Sequence, residues 1–162
     1  MTGIVQASYN LNHNAAFAGM VADGQAENIV SKLNSTVATI PYGKGVVRDG
    51  EYSVGTITTG TVATDFVGVA VRELNRSYNI GDDFGAVPNK DLSVMTMGAI
   101  WVYVRDEAVV PGNPVALIIN AVNPGDFKTT AGASDAVLIP GAKFLTAANA
   151  DGLAKVSLVV GG

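Results

Sequence analysis

AIWVYVR, residues 99–105, alternates without a break. Successive side chains of a β-strand point to opposite faces, so Ile100, Val102 and Val104 share one face and Trp101, Tyr103 and Arg105 the other. The aliphatic face is expected to be core. Trp101 and Tyr103, on the opposite face, are expected to meet either a second layer of the same domain or a partner.

Runs of the same kind recur on both sides of this stretch: 67–72 (VGVAVR), 92–97 (LSVMTM), 115–119 (VALII), 136–139 (AVLI), 143–146 (KFLT) and 153–160 (LAKVSLVV). Turn chemistry separates them at Arg48-Asp49-Gly50, Gly81-Asp82-Asp83, Pro111-Gly112-Asn113-Pro114, Asn123-Pro124-Gly125 and Asp151-Gly152. Many short strands punctuated in this way predict an all-β sandwich or barrel. The one helical candidate is the short run 71–78 (VRELNRSY). There is no internal repeat, low-complexity tract or linker.

The N-terminal 36 residues have a different texture. Across them Ile4, Val5, Tyr9, Leu11, Phe17, Met20 and Val21 keep neither the helical nor the strand period. Asn10, Asn12 and Asn14, with His13 among them, favour local strand or turn over helix. Residues 1–36 are therefore expected to be an extended N-terminal arm leading into the first strand, and residues 37–162 a single β domain. Ile4, Tyr9, Leu11, Phe17 and Met20 are too irregular to complete one local element and too apolar to be left in water, so their expected home is a neighbouring subunit.

Composition excludes several functions. At 162 residues the chain has the length of one domain and buries roughly 70% of its unfolded surface, so it needs no staple to fold. It has no Cys and a single His, His13, which removes disulfides, thiolate zinc sites and histidine metal clusters from consideration. Ten basic against 14 acidic residues, net charge −4 and a pI near 4.7 argue against nucleic acid as a partner, because phosphate binding needs a basic footprint. Charged residues make up 15% of the chain and mean hydropathy is +0.31, against about 25% charged in an average domain. Such a surface is expected to be partly covered by other subunits, although a β protein rich in Ala, Val and Gly reaches similar averages. The first basic residue is Lys32, so no basic n-region precedes an apolar run, and no run approaches about 18 apolar residues. The expectation is a protein made in a cytoplasm, with no membrane partner.

The residues offer little chemistry. GASDA, 132–136, is not the G-x-S-x-G turn of a nucleophilic serine, and Ser134 and Asp135 read as turn residues. The acid pairs Asp82-Asp83 and Asp106-Glu107 sit in turn contexts without the alternating oxygen ligands of a calcium loop. GKGVV, 43–47, has the glycines of a phosphate cradle but continues as a strand, and Lys44 reads as solvent-facing. No catalytic residue, metal site or cofactor is expected.

Several blocks carry a resemblance. They are ENIVSKLNSTVATIPYGKGVVRD (27–49), GVAVRELN (68–75), LSVMTMGAIWVYV (92–104), PGNPVALI (111–118), GDF (125–127), IPGAKFLTAA (139–148) and GLAKVSLV (152–159). In order and spacing they resemble the structural cement, or decoration, proteins of tailed bacteriophages, over nearly the whole chain. The resemblance implies a compact β-barrel or jelly-roll-like sandwich with an extended N-terminal arm. It implies a non-enzymatic clamp on the outer surface of a mature capsid, assembled in the host cytoplasm, bridging neighbouring major capsid subunits. Copies would self-associate, with a trimer favoured and a dimer possible. The partner-binding residues expected on this reading are Ile4, Tyr9, Leu11, Phe17, Met20, Trp101 and Tyr103. The alternative is a carbohydrate-binding or adhesin-like β module using Trp101, Tyr103, Tyr42, Tyr52 and Tyr78 as a sugar platform, against which stand the low aromatic content of 7% and the lack of a secretion signal.

Overall fold

The computed structural model of the chain describes residues 16–22, 26–73, 85–132 and 134–159. The strands are β1 (Asn28–Asn34), β2 (Ile40–Pro41), β3 (Gly45–Arg48), β4 (Ser53–Gly55), β5 (Phe66–Ala70), β6 (Gly85–Ala86), β7 (Asp91–Tyr103), β8 (Pro114–Ile118), β9 (Phe127–Lys128), β10 (Ala136–Phe144) and β11 (Leu153–Val159). One turn of 3-10 helix, Ala63–Asp65, is the only helical element among the described residues. The chain is all-β, as its punctuation predicts.

The long strand β7 organises everything else. In its first half Met95 lies opposite both Ile29 and Val69, so β1 and β5 occupy its two edges. β1 continues through β4 and β3 back to β5, which closes a five-stranded barrel. In its second half β7 pairs with β11, and the sheet runs on through β10 and β8 to β9. A parallel bridge between Val104 and Phe127, with the Arg105 amide donating to the Phe127 carbonyl at 2.9 Å, ties β9 to the end of β7. Two rings of strands therefore share one strand, and the barrel rather than the sandwich is the form found.

Each ring has its own core. Leu92 and Val94 of β7 meet Ile40, Val46, Val54, Ala70 and Ala86 inside the first barrel. Met95, Ile100, Val102 and Val104 enter the larger core, with Phe127, Phe144, Val156 and Leu158. The side facing the larger core moves from an odd to even numbers between Met95 and Ile100. One extra residue in the strand does this: β1 pairs with Met95 and then with Met97, so Thr96 is left over, and Gly98 at φ +125° completes the irregularity.

The expected runs 92–97 and 99–105 are thus one strand, and so are 136–139 and 143–146, which merge into β10, where pairing to β8 is interrupted between Leu138 and Lys143. The expected helix at 71–78 is not present at Val71, Arg72 and Glu73, and residues 74–78 lie outside the described residues. Residues 16–22 run against the second half of β7: Val21 bridges Ile100, the Gly19 amide donates to the Trp101 carbonyl at 2.7 Å, and the Trp101 amide donates to the Met20 carbonyl at 3.0 Å.

Candidate functional site

The outer face of β7 and β11 carries the aromatic residues singled out above. Its cross-strand pairs are Tyr103 with Leu153, Trp101 with Lys155, Ala99 with Ser157 and Met97 with Val159. Alternation sends their neighbours Ile100, Val102, Ala154 and Val156 into the core, which fixes the face. Met97, Tyr103 and Val159 are exposed, Trp101 is half-buried and Ala99 is buried, so the pairs form a strip whose exposed apolar residues stand at its two ends. The Lys155 ammonium lies 5.5 Å from the Trp101 ring centre and the Arg105 guanidinium 5.0 Å from that of Tyr103. Cations at this range over a ring face are attracted by its quadrupole and cover part of the surface a stacked sugar would use.

The backbone pairing of residues 16–22 places Met20 beside Trp101 on this face, and Met20 is exposed. Phe17 is held one turn away through the Met20 amide and lies under the Arg72 guanidinium at 4.7 Å. Of the expected partner-binding residues, then, Met20, Trp101 and Tyr103 share one surface with Phe17 at its margin. Ile4, Tyr9 and Leu11 lie outside the described residues.

Just past the end of β7 is a buried ion-pair cluster. Asp126, 1% exposed, is met by Lys44 at 2.7 Å and by Arg105 Nε at 2.7 Å, and Arg105 also reaches Asp151 at 3.0 Å. Lys44 is therefore not the solvent-facing residue read from its glycine neighbours; it turns in to neutralise a carboxylate that β9 and its turn carry inside. The hydrogen bond that Arg105 donates to the Asp126 carboxylate, against some desolvation, raises the Arg105 pKa. Arg105 thus links the buried Asp126 to the exposed Tyr103 ring. Asp126 sits in a Pro-Gly-Asp turn, where the residue pattern points to a solvated carboxylate, and only its burial reveals its part.

Two more acids that read as turn residues are anchors. Burial pushes the Glu107 carboxyl up, but the amides and hydroxyls of Thr130 and Thr129 outweigh that and leave it below the ordinary value of 4.5. Asp135 takes the Lys128 ammonium and the Asn120 amide, and the Lys128 hydrogen bond leads in lowering its pKa. Asn34, fully buried at the end of β1, donates to the Ala38 and Ala86 carbonyls and accepts from Thr36. These are structural roles. An open depression of about 530 Å³ near the β3–β4 turn is walled by Ser35, Thr36, Thr56, Thr61, Asp49 and Asp65. In it the Ser35 hydroxyl donates to the Asp49 carboxylate and to the Val54 carbonyl, with no histidine among its lining residues, and no group of three metal-ligating side chains occurs among the described residues.

The fold and this strip define an all-β scaffold with exposed apolar and aromatic residues on one sheet face. No curated protein sequence matches the chain. Among solved structures, a chain in the capsid of Myoviridae phage XM1 matches it with a TM-score of 0.75 and 18% identity, over 98% of each chain. The structural cement protein family (E217 gp24/Pam3 gp6) matches residues 5–159, and the chain belongs to that family. It is accordingly a phage structural protein of the capsid.

Proposed function

We propose that the chain is a non-enzymatic cement that binds the outer surface of a mature capsid and bridges neighbouring major capsid subunits, stabilising the shell. The observation that carries this reading is the strip of exposed Met97, Tyr103 and Val159 with half-buried Trp101 on two long strands whose other side is core. Rigid apolar and aromatic groups that lose little entropy on docking make efficient anchors. The partner-binding set comprises Phe17, Met20, Trp101 and Tyr103 together with Ile4, Tyr9 and Leu11 of an N-terminal arm, residues 1–36, whose last strand is built into the single β domain. Copies act as a homo-oligomer, a trimer before a dimer, because several modest attachments made at once multiply affinity through effective concentration. The net charge of −4 suits the exterior, away from packaged nucleic acid. Capsids assembled in the host cytoplasm would acquire the protein there.

The test is reconstitution: purified undecorated capsids are titrated with the protein, and cryo-electron microscopy locates the bound density while heat challenge measures shell survival. Density spanning two coat subunits and a raised disruption temperature are expected. Density confined to one subunit, or on the inner surface, would remove the bridging role.

A further inference from the structure

β1 has one edge in use and most of the other open. The Asn34 amide bonds the Lys90 carbonyl at 2.9 Å, so the even-numbered residues of β1 face β7. The Leu33 amide turns the other way, to the Tyr52 carbonyl at 2.9 Å, and the Ser35 amide goes to Val54 at 3.2 Å. The same parity aims the backbone groups of Ile29 and Ser31 away from β7, where β4 no longer reaches, since it pairs only with Leu33 and Asn34. Among the described residues nothing stands opposite them. Ile29 and Leu33, 39% and 40% exposed, flank the gap. An apolar strand edge of this kind is a template for another strand. Lys32, the residue type that ordinarily guards such an edge, has its ammonium on the Glu51 carbonyl at 2.8 Å.

The chain also carries a matching segment. Although the apolar residues of the N-terminal 36 keep no overall period, the window 5–12 alternates strictly: Val5, Ala7, Tyr9 and Leu11 against Gln6, Ser8, Asn10 and Asn12. This is the pattern of a strand with one covered face. It contains no charged residue and lies wholly before Ala16, the first described position.

We propose that residues 5–12 of a second copy add to the open edge of β1 as a strand. Main-chain hydrogen bonds to Ile29 and Ser31 hold it, with Val5, Tyr9 and Leu11 laid over Ile29 and Leu33. The occupant is a second copy because each chain carries both halves of the contact, so reciprocal exchange closes a small ring with no edge left over. The uncharged segment also suits an edge whose one cation is already engaged. This names the surface behind the self-association proposed above and rests on that reading.

The chain has no Cys, so single thiols can be placed at will. Full-length Ser31→Cys is mixed with full-length Ala7→Cys, and in a second arm with Tyr9→Cys, both on the segment face laid over Ile29, Ser31 and Leu33, under mild oxidation; a mixed disulfide in either mixture can only join two chains. In parallel, hydrogen exchange at the Ile29 and Ser31 amides and oligomer mass are followed for the unmodified chain and for Ser8→Pro, which breaks the segment without touching the barrel. The expected result is a mixed disulfide, protected Ile29 and Ser31 amides in the oligomer, and loss of both protection and oligomer in Ser8→Pro. An oligomer whose Ile29 and Ser31 amides exchange as open ones would overturn the inference and leave self-association standing. A monomer at all concentrations would end both.

Discussion

Gly19 and Gly43 pack backbone against backbone: a Cβ on Gly19 would stand 2.7 Å from the Gly43 amide nitrogen, and one on Gly43 would stand 2.6 Å from the Ala18 Cβ. Both have left-handed φ, +79° and +82°. Around them the Gly43 amide donates to the Ala70 carbonyl and the Arg72 amide to the Gly19 carbonyl, each at 2.8 Å. Residues 16–22 are thereby stitched to the end of β5 on one side and to β7 on the other.

Gly19→Ala should loosen this stitch. The left-handed conformation alone costs a residue with a side chain about 1–2 kcal/mol, and the close backbone approach adds to it. Thermal unfolding should show the loss, and the Gly19→Ala, Gly43→Ala double variant should lose less than the sum of the two singles, because one contact is shared. Strict additivity would mean that the two glycines act separately.

The same contact decides where the N-terminus can be cut. Removing residues 2–20 takes out Gly19 and the Met20 pairing with Trp101 as well and should lower the melting temperature further than removing residues 2–15 does. Capsid occupancy should fall in both. Equal melting temperatures for the two truncations would show that residues 16–20 contribute nothing to the barrel.

Asp126→Ala leaves Lys44 and Arg105 facing a buried void. Removing one member of a buried charge cluster costs about 3–5 kcal/mol, and the chemical denaturation midpoint should drop accordingly. Asp151→Ala removes an exposed partner of the same Arg105 and should cost under about 1 kcal/mol. Comparable losses from the two would place the energy at the surface rather than in the buried pairs.

Glu107 predicts an acid limb in the stability profile. Its folded pKa is lowered below the ordinary 4.5, so its contribution is fully present above the unfolded value and is lost as pH falls through the folded one. Asp135 acts in the same direction. The melting temperatures of the unmodified protein and Glu107→Gln should therefore differ at pH 7, by an amount set by charge-assisted bonds worth about 1.5–3 kcal/mol in all, and approach each other below about pH 4. A constant gap from pH 7 to pH 3 would contradict the assignment.

The strip itself is tested by Tyr103→Ala and Val159→Glu. Both sites are exposed, so unfolding should shift little, while each should weaken capsid attachment by about 2 kcal/mol, roughly 30-fold, if the strip is the anchor. Full occupancy by both variants would move the anchor elsewhere.

What residue order alone determined is what strand geometry makes local. Alternation placed Ile100, Val102 and Val104 in the core and Trp101 and Tyr103 outside it, and Gly, Pro, Asn and Asp marked the turns, because both depend on neighbours one or two residues away. The family blocks were legible for the same reason, being strand and turn patterns in a set order. Tertiary structure decided the rest. That β7 belongs to two rings depends on an extra residue at Thr96 and on partners as distant as Ile29 and Val159, which no local pattern encodes. The roles of Asp126, Lys44 and Glu107 escaped the sequence because a carboxylate in a turn looks the same whether solvent or a threonine amide receives it; only burial, set by chain crossings far away, separates the two.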